Sequence, residues 1–345
     1  MAPFNPRLLS DGLNRGPRRK SAAEYIDGVR AGNRVVLSQA ITLTESTRPE
    51  DQELASEVVH ACLPHAGNSL RIGITGIPGV GKSTFIESFG KLLLERGHKL
   101  SVLAIDPSSE RSKGSILGDK TRMEALTREQ NAYIRPSPSG GSPGGVARKT
   151  RESIILCEAA GFDRILVETV GVGQGETIVH SMVDFFLLLM LPGAGDELQG
   201  MKRGIMEMAD GIAITKSDSG NDKKAKIAAA DYRRALELFP PADHGWKAEV
   251  ILTSAVTGMG LDEVYSLLEN FLDSMKENGH FDKRRKGQAV YWMNEYLGEL
   301  IRNRILENRE SREYRAELKE RVIAGTLSPF EAAGMLLDHA LKDRS

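Results

Sequence analysis

Residues 76–83, Gly-Ile-Pro-Gly-Val-Gly-Lys-Ser, match the pattern G-x-x-x-x-G-K-[ST] at every fixed position. In such a loop the glycines let the backbone curl so that its N–H groups point at phosphate oxygens. Lys82 would supply a positive charge at the β- and γ-phosphates, and the Ser83 hydroxyl would bind Mg²⁺. An apolar run, LRIGIT at 70–75, precedes the loop, and a helical pattern over 84–94 follows it. The stretch therefore predicts the strand, P-loop and helix of a nucleotide-binding protein.

Seven short apolar runs alternate with amphipathic stretches between about residues 69 and 275. They are LRIGIT (70–75), LSVLAID (100–106), AYIR (132–135), RILVET (164–169), FFLLLML (185–191), GIAIT (211–215) and EVILT (249–253). Strands that are apolar at consecutive positions are typical of a parallel sheet with both faces buried under helices. The sequence therefore predicts an α/β fold of the P-loop NTPase type, with a mostly parallel sheet sandwiched by helices.

Helical patterns flank this region on both sides. Ser21 and Glu24 form a capping box at a helix start, and a last helix begins at Ser328 with Pro329 at its first position. One apolar stripe at helical spacing consists of Val290, Met293, Leu297, Leu300, Ile301 and Ile305. We predict a disordered basic arm at 1–20, an N-terminal helical extension at 21–68, a P-loop domain at 69–280 and a C-terminal helical extension at 281–345.

The composition is that of an ordinary soluble globular chain. Its 345 residues include 46 Lys and Arg against 47 Asp and Glu, and this balance argues against nucleic-acid binding through bulk charge. The longest apolar run, 185–191, is far shorter than the roughly 18–20 residues that span a bilayer. Two cysteines are too few for a disulfide framework, and the N-terminus lacks a secretory signal. We expect a cytoplasmic protein that binds neither nucleic acid nor membrane.

Acidic residues stand at the ends of two predicted strands. Asp106 ends the second strand and Glu168 the fourth, and ligands of parallel sheets bind outside the carboxyl ends of strands. Glu168-Thr-Val-Gly171 resembles the D-x-x-G switch motif of G proteins, with glutamate in place of aspartate. Gly171 would donate its backbone N–H to the γ-phosphate, and Glu168 would reach Mg²⁺ through water. We therefore predict that Lys82, Asp106 and Glu168 carry the catalytic chemistry.

Base recognition is predicted in the loops after the last two strands. Thr215-Lys-Ser-Asp218 resembles the guanine-binding motif N-K-x-D, in which the aspartate accepts from the ring N–H and the exocyclic amine of guanine. Adenine offers no such pair of donors and would leave the carboxylate unpaired. Threonine replaces the usual asparagine, which predicts weaker support for the motif. Thr253-Ser-Ala255 resembles the S-A motif whose backbone contacts the guanine oxygen. GTP is the predicted nucleotide.

The order of these motifs and several long loops resemble one group of G proteins. The loops are DPSS (106–109), GDKTRM (118–123), IRPSPSGG (134–141), ETVGVGQGE (168–176) and DELQGMKRGI (196–205). They are similar to those of MeaB/ArgK-type G proteins, GTPase chaperones of adenosylcobalamin-dependent methylmalonyl-CoA mutase, over nearly the whole chain. The resemblance implies a SIMIBI-like GTPase domain at 69–280 and slow hydrolysis of GTP to GDP and phosphate. It also implies stimulation by the mutase, gating of its cofactor loading, protection of the mutase, and a homodimer formed through 281–345.

The resemblance also implies roles for individual residues. GTP binding falls on Gly76, Ile77, Pro78, Gly79, Val80, Gly81, Lys82, Ser83, Thr84, Gly171, Lys216, Asp218, Ser254, Ala255 and Val256. The residues that would position Mg²⁺ are Ser83, Asp106, Asp119 and Glu168. Two switch segments would follow Gly171 and Pro192. Gly175 departs from the family pattern GVGQSE, which has serine at that position, so the rigidity of this loop is open to question.

Two other functions share part of this pattern. A P-loop kinase or transport ATPase acting on a small molecule would use the same phosphate loop, but the TKSD sequence at 215–218 argues against it. Equal binding of ATP and GTP would favour that alternative. A metal-insertion GTPase of related fold should carry Cys/His ligand motifs, which this sequence lacks.

Overall fold

The computed structural model describes residues 19–105, 123–136, 143–169, 175–193, 203–218, 220–240, 243–307 and 309–342. The chain divides into two compact units, Met1–Asn278 and Gly279–Ser345. The basic arm predicted at 1–20 lies almost entirely outside the described residues. None of the helices in the described part of the chain combines the length and the apolar character that a membrane span requires.

The seven predicted strands are all present. They are β1 (Leu70–Gly76), β2 (Leu100–Ile105), β3 (Ala132–Arg135), β4 (Arg164–Thr169), β5 (Phe185–Met190), β6 (Gly211–Ile214) and β7 (Glu249–Leu252). Within the described residues they form one sheet in the order β3-β2-β4-β1-β5-β6-β7, and every neighbouring pair is parallel. The predicted parallel α/β fold is confirmed.

Helices connect these strands, and further helices precede and follow the strand-containing region along the chain. In the first unit they are α1 (Ala22–Arg30), α2 (Arg34–Glu45), α3 (Pro49–Cys62), α4 (Lys82–Glu95), α5 (Glu124–Arg128), α6 (Pro143–Ala159), α7 (Glu176–His180), α8 (Arg203–Glu207), α9 (Asp222–Glu237) and α10 (Leu261–Glu277). The second unit contains α11 (His280–Glu307), α12 (Arg309–Ile323) and α13 (Pro329–Lys342).

The central position of β1 places the phosphate loop in the middle of one sheet edge. β1 lies between β4 and β5, and Ile74 is in register with Glu168 on one side and Leu187 on the other. All six residues of β4 and of β5 are buried, as are all seven of β1. Because the strands are parallel, the loops that follow β1, β4, β6 and β7 leave the sheet at the same edge.

The N-terminal helices belong to the first unit and pack on the sheet domain. The predicted capping box is present: Glu24 N donates to Ser21 Oγ at 3.3 Å, and Ser21 N donates to Glu24 Oε2 at 2.8 Å. Helix α2 contacts both α3 and α6. At its end, Glu45 forms an ion pair with Arg135, the last residue of β3. The N-terminal helices are thereby fixed to the carboxyl end of an outer strand.

The second unit has a small core between α12 and α13. Leu318, Leu327 and Ala332 are buried there. Ser328 Oγ accepts from the backbone N–H of Glu331 at the predicted start of the last helix. The described side chains of the α11 stripe are exposed: Val290 56%, Met293 62%, Leu297 53%, Leu300 46% and Ile301 50%. The side chain of Ile305 is outside the described part.

A buried ion pair fixes the start of β1 to α6. The Glu158 carboxylate accepts from Arg71 Nε at 2.8 Å and Nη2 at 2.9 Å, from Ser69 Oγ, and from the Gly67 backbone N–H. Burial, and secondarily the charge of Arg71, lowers the pKa of Arg151 to about 10, while Glu158 opposes that shift. Glu158 is therefore the negative charge that compensates two neighbouring guanidinium groups.

We expect Glu158→Ala to lower the free energy of unfolding by about 3–5 kcal/mol, because it leaves Arg71 buried without its counter-charge. Urea unfolding followed by circular dichroism would measure the change. Asp262→Ala is the matched control, since Asp262 pairs with Arg96 on the exposed surface. That variant should change the free energy of unfolding by at most about 1 kcal/mol. Equal losses in the two variants would contradict the importance of the buried pair.

Candidate functional site

The predicted phosphate loop leaves β1 in a conformation that requires glycine at two positions. A Cβ on Gly76 would lie 2.6 Å from the backbone oxygen of Leu189 in β5. Gly81 has φ 99°, in the left-handed region, and is the residue immediately before α4. The N–H groups in the first turn of a helix have no acceptor within the helix, and they attract anions. The loop therefore directs the start of α4 at the position where a phosphate would bind.

Lys82 folds back over the loop. Its Nζ donates to the carbonyl oxygen of Gly76 at 2.7 Å and to that of Ile77 at 3.4 Å. Burial lowers the pKa of the Lys82 ammonium from its usual range, and the negative charge of Glu168 opposes this shift. The amino group of Lys82 is thus held among the backbone carbonyls of the loop.

Two of the predicted magnesium ligands meet in the structure. Ser83 Oγ donates to Glu168 Oε1 at 3.4 Å, and the Glu168 side chain is buried at the end of β4. A hydroxyl and a carboxylate are hard oxygen donors of the kind that Mg²⁺ prefers. These two residues fit the ion. Asp106, Asp119 and Gly171 lie outside the described residues, and so do residues 172–174 and 194–202 of the predicted switch segments.

The threonine of the TKSD motif is bonded to the phosphate loop. Thr215 Oγ1 lies 2.8 Å from the carbonyl oxygen of Val80 and 3.1 Å from that of Met190. The threonine hydroxyl and Val80 are both buried. We expected threonine to support this motif less well than asparagine, yet its hydroxyl reaches the loop directly.

Lys216 makes a second connection to the phosphate loop. It has φ 54°, an uncommon backbone conformation for a residue with a side chain. Its Nζ donates to the carbonyl oxygen of Gly79 at 2.8 Å, and its own carbonyl accepts from Asn221 Nδ2 at 3.2 Å. Thr215 and Lys216 therefore support consecutive carbonyls of the loop, and the base motif and the phosphate loop form one hydrogen-bonded structure.

The two predicted base-binding loops are also joined to each other. Ser217 N donates to the carbonyl oxygen of Thr253 at 3.1 Å, which places the TKSD and TSA sequences side by side. Asp218 is partly exposed at this position. The second loop closes on itself, since Ser254 N donates to Met259 O at 2.9 Å. The structure thus places the TKSD and TSA sequences next to each other, and Thr215 and Lys216 join the first of them to the phosphate loop.

Two features of the site were not evident from the sequence. Ser88 Oγ, on α4, donates to the carbonyl oxygen of Ala255 at 2.7 Å, although 167 residues separate them. No motif marks Ser88, because its partner is set by packing and not by local pattern. Gly175, where the family pattern has serine, has φ −87°, which any residue can adopt. The backbone at that point does not require glycine.

The arrangement brings together, at one edge of the sheet, the predicted phosphate loop, a pair of oxygen donors that could hold a metal ion and the two predicted base-binding loops. Phosphoryl transfer depends mainly on positioning and on neutralisation of charge. Lys82 can neutralise phosphate oxygens, and Ser83 with Glu168 can hold the metal ion. The site is therefore chemically equipped for nucleoside triphosphate binding and hydrolysis.

Comparisons with known proteins agree with this geometry. The family model described as methylmalonyl Co-A mutase-associated GTPase MeaB matches residues 37–310. A probable GTPase of Mycobacterium tuberculosis is 49% identical over 326 residues, which cover 93% of this chain and 97% of the relative. The mitochondrial methylmalonic aciduria type A homolog of Mus musculus is 46% identical over 327 residues, 92% of this chain and 79% of that protein. The crystal structure of an LAO/AO transport system kinase is 37% identical, with a TM-score of 0.74 over 94% of this chain and 99% of that one.

We expect Thr215→Val to weaken the binding of a nucleoside diphosphate by about fivefold or more. Valine keeps the shape of threonine but removes the donor to the buried Val80 carbonyl, and an unsatisfied buried group costs about 1–3 kcal/mol. Calorimetric titration with the diphosphate would measure the affinity.

Thr44→Val is the matched control for this substitution. The Thr44 hydroxyl is also buried, but it donates within its own helix, to the carbonyl oxygen of Ile41 at 2.9 Å. This variant should bind the nucleoside diphosphate with the affinity of the wild-type protein. If both variants lose stability alike and neither loses affinity, Thr215 does not position the loop.

Proposed function

The chain belongs to the family of methylmalonyl-CoA mutase-associated GTPases named MeaB, and from this membership we propose that it is a GTP-driven chaperone of an adenosylcobalamin-dependent methylmalonyl-CoA mutase. As a member of this family the protein is a GTPase that binds guanine nucleotide. The structural observation that supports the nucleotide-binding part of the proposal is the set of hydrogen bonds that joins the phosphate loop to the TKSD loop through Thr215 and Lys216.

Selection of guanine is the first part of the proposed function. Asp218 would accept from the ring N–H and the exocyclic amine of guanine, and the backbone of Ser254, Ala255 and Val256 would meet the guanine oxygen. Hydrogen bonds to a charged group contribute about 1.5–3 kcal/mol each, which is enough to exclude a base that lacks the donors. The TKSD loop is supported by the phosphate loop, so base and phosphates would be recognised in a fixed relative position.

The second part of the proposed function is GTP hydrolysis, to which the chain contributes mainly by positioning the phosphates and the metal ion. Lys82 would contact the β- and γ-phosphates, and Gly76 to Thr84 would surround them with backbone N–H groups. Ser83 and Glu168 would hold Mg²⁺, with Asp106 and Asp119 as further groups, and the bound ion would neutralise charge on the phosphate oxygens. Gly171 would present its N–H to the γ-phosphate. Water would then attack in a slow intrinsic reaction that gives GDP and phosphate.

The third part is the partner. The description of the family names association with methylmalonyl-CoA mutase, and the mouse relative is named for methylmalonic aciduria. In the proposed cycle the nucleotide state gates loading of the cobalamin cofactor and protects the mutase from inactivation, and the mutase accelerates hydrolysis. The switch segments after Gly171 and Pro192 would respond to the γ-phosphate. Cytoplasmic localisation remains a prediction.

We also propose a homodimer formed through the C-terminal extension. The described side chains of the α11 stripe are each about half exposed, and the described helices of the second unit leave them uncovered. A contiguous apolar surface of this kind is typical of a protein–protein contact. The division into an N-terminal helical extension, a GTPase domain and a C-terminal dimerisation extension is part of the same proposal.

The decisive experiment measures phosphate release from GTP and from ATP, with and without the methylmalonyl-CoA mutase of the same source. We expect slow release from GTP, little from ATP, and acceleration by the mutase.

Asp218→Asn should weaken GTP binding about a hundredfold, because an amide cannot accept both hydrogen bonds as a charged group does. The same variant should retain its fold, measured by circular dichroism.

Two results would overturn the proposal. Equal turnover of ATP and GTP would favour a kinase or transport ATPase acting on a small molecule, in line with the name of the similar crystal structure. An unchanged rate in the presence of the mutase, at concentrations that saturate any complex, would remove the mutase as the partner.

The proposed dimer predicts that Leu297→Glu produces a monomer, because a charge in an apolar contact loses its hydration. Sedimentation velocity would measure the assembly state. Val35→Glu is the matched control, since Val35 is an apolar residue on α2 that is 67% exposed and lies outside the stripe. A dimer that persists in Leu297→Glu would exclude the α11 stripe as the contact.

A further inference from the structure

We propose that Ser88 is a positioning residue for guanine recognition, acting through the backbone of Ala255 and Val256. This inference rests on the proposed function, because it concerns the base that the site selects. Ser88 lies on α4, five residues beyond Ser83, and belongs to none of the motifs that recognise nucleotide.

The contact that carries the inference is a single hydrogen bond between distant parts of the chain. Ser88 Oγ donates to the carbonyl oxygen of Ala255 at 2.7 Å, and both residues are partly buried. A distance of 2.7 Å is the usual value for a good O–H···O bond. Partial burial reduces competition from water, so this bond can hold the Ala255 carbonyl in one direction.

The direction of this carbonyl fixes the direction of the next N–H group. A trans peptide unit is planar, and its C=O and N–H bonds point in opposite directions. Since the Ala255 carbonyl points at α4, the N–H of Val256 points away from α4. Taking the Val256 N–H as one of the backbone donors of the proposed guanine contact, Ser88 controls the orientation of a donor that it does not touch.

Other hydrogen bonds close the loop without setting its orientation toward α4. Ser254 N donates to Met259 O, Thr257 N to Ser254 Oγ, and Gly258 N to Ser254 O. All three lie within the loop. The Val256 side chain is 83% exposed and provides no anchor. The Ser88 bond is thus the contact in the described structure that joins this peptide unit to the helix carrying Lys82 and Ser83.

This placement gives Ser88 a role in base selectivity and none in the chemistry of the phosphates. Loss of the hydroxyl would let the Ala255–Val256 peptide unit rotate, and the donor to the guanine oxygen would be lost. The contacts of Lys82 and Ser83 would be retained. The expected signature is a loss that depends on the 6-oxo group of the base and leaves adenine nucleotides unaffected.

The experiment compares the affinities of Ser88→Ala for GDP, IDP and ADP by calorimetric titration. Inosine keeps the 6-oxo group and the ring N–H but lacks the exocyclic amine. We expect GDP and IDP binding to weaken by the same factor, about five- to tenfold, which is the value of one hydrogen bond. ADP binding should be unchanged. Ser88→Thr, which keeps the hydroxyl, should retain the wild-type affinity for GDP and IDP.

A matched control is available on a neighbouring helix. The Ser266 hydroxyl donates to the carbonyl oxygen of Asp262 within α10, at 2.9 Å. Ser266→Ala should leave all three affinities unchanged. If Ser88→Ala does not fold, Ser88→Cys keeps the volume and replaces the hydroxyl by a much weaker donor. It should show the same dependence on the base.

The outcomes separate this inference from the proposed function. Equal losses for GDP, IDP and ADP would show that Ser88 supports the phosphate loop in general, and would overturn the inference. Unchanged GDP affinity in Ser88→Ala would overturn it as well. If the wild-type protein binds GDP and ADP equally, that result would instead contradict the proposed guanine selectivity itself.

Discussion

A loop that turns its N–H groups toward an anion must turn its carbonyl groups toward the protein, and those carbonyls need donors. Here four carbonyls of the phosphate loop receive side-chain donors: Gly76 and Ile77 from Lys82, Gly79 from Lys216 and Val80 from Thr215. Gly76 and Val80 are buried, and buried backbone carbonyls are costly when unsatisfied, so the loop depends on these partners for its shape. Two of the four are bonded to the predicted base motif. The predicted phosphate-binding loop and the predicted base motif are therefore joined by one set of hydrogen bonds.

The parallel sheet makes this arrangement possible because it brings distant parts of the chain to one edge. β1 and β6 are not neighbours, since β5 lies between them, yet the loops after both strands leave the sheet on the same side. Thr169 and Thr75 are also hydrogen-bonded, at 2.9 Å, where β4 and β1 end. The loop that follows Glu168 thus begins from a fixed strand end. Arg135 and Glu45 attach the N-terminal helices to the same edge, beside β3.

Features with a local cause could be predicted from the sequence, and those with a long-range cause could not. Consecutive apolar residues mark buried strands, and all seven strands were found within one or two residues of their predicted ends. The capping box at Ser21 depends on a spacing of three residues and was equally visible. The bond between Thr215 and Val80 could not be predicted, because motif comparison registers the residue type and not the position of its partner. The contact of Ser88 with Ala255 could not be predicted from the sequence, because only packing brings α4 against Ala255.

In the proposed site, part of the base selectivity depends on backbone donors whose direction is set by contacts outside the base-binding loop. A side chain that reads a base, such as the proposed Asp218, carries its own specificity and can be recognised in a sequence. A backbone N–H is present in every residue except proline, so its value depends entirely on orientation. In the proposed site, that orientation would be held by the Ser88 bond from α4, the helix that follows the phosphate loop. A change in base preference could therefore arise in α4 without any change in the residues that touch the base.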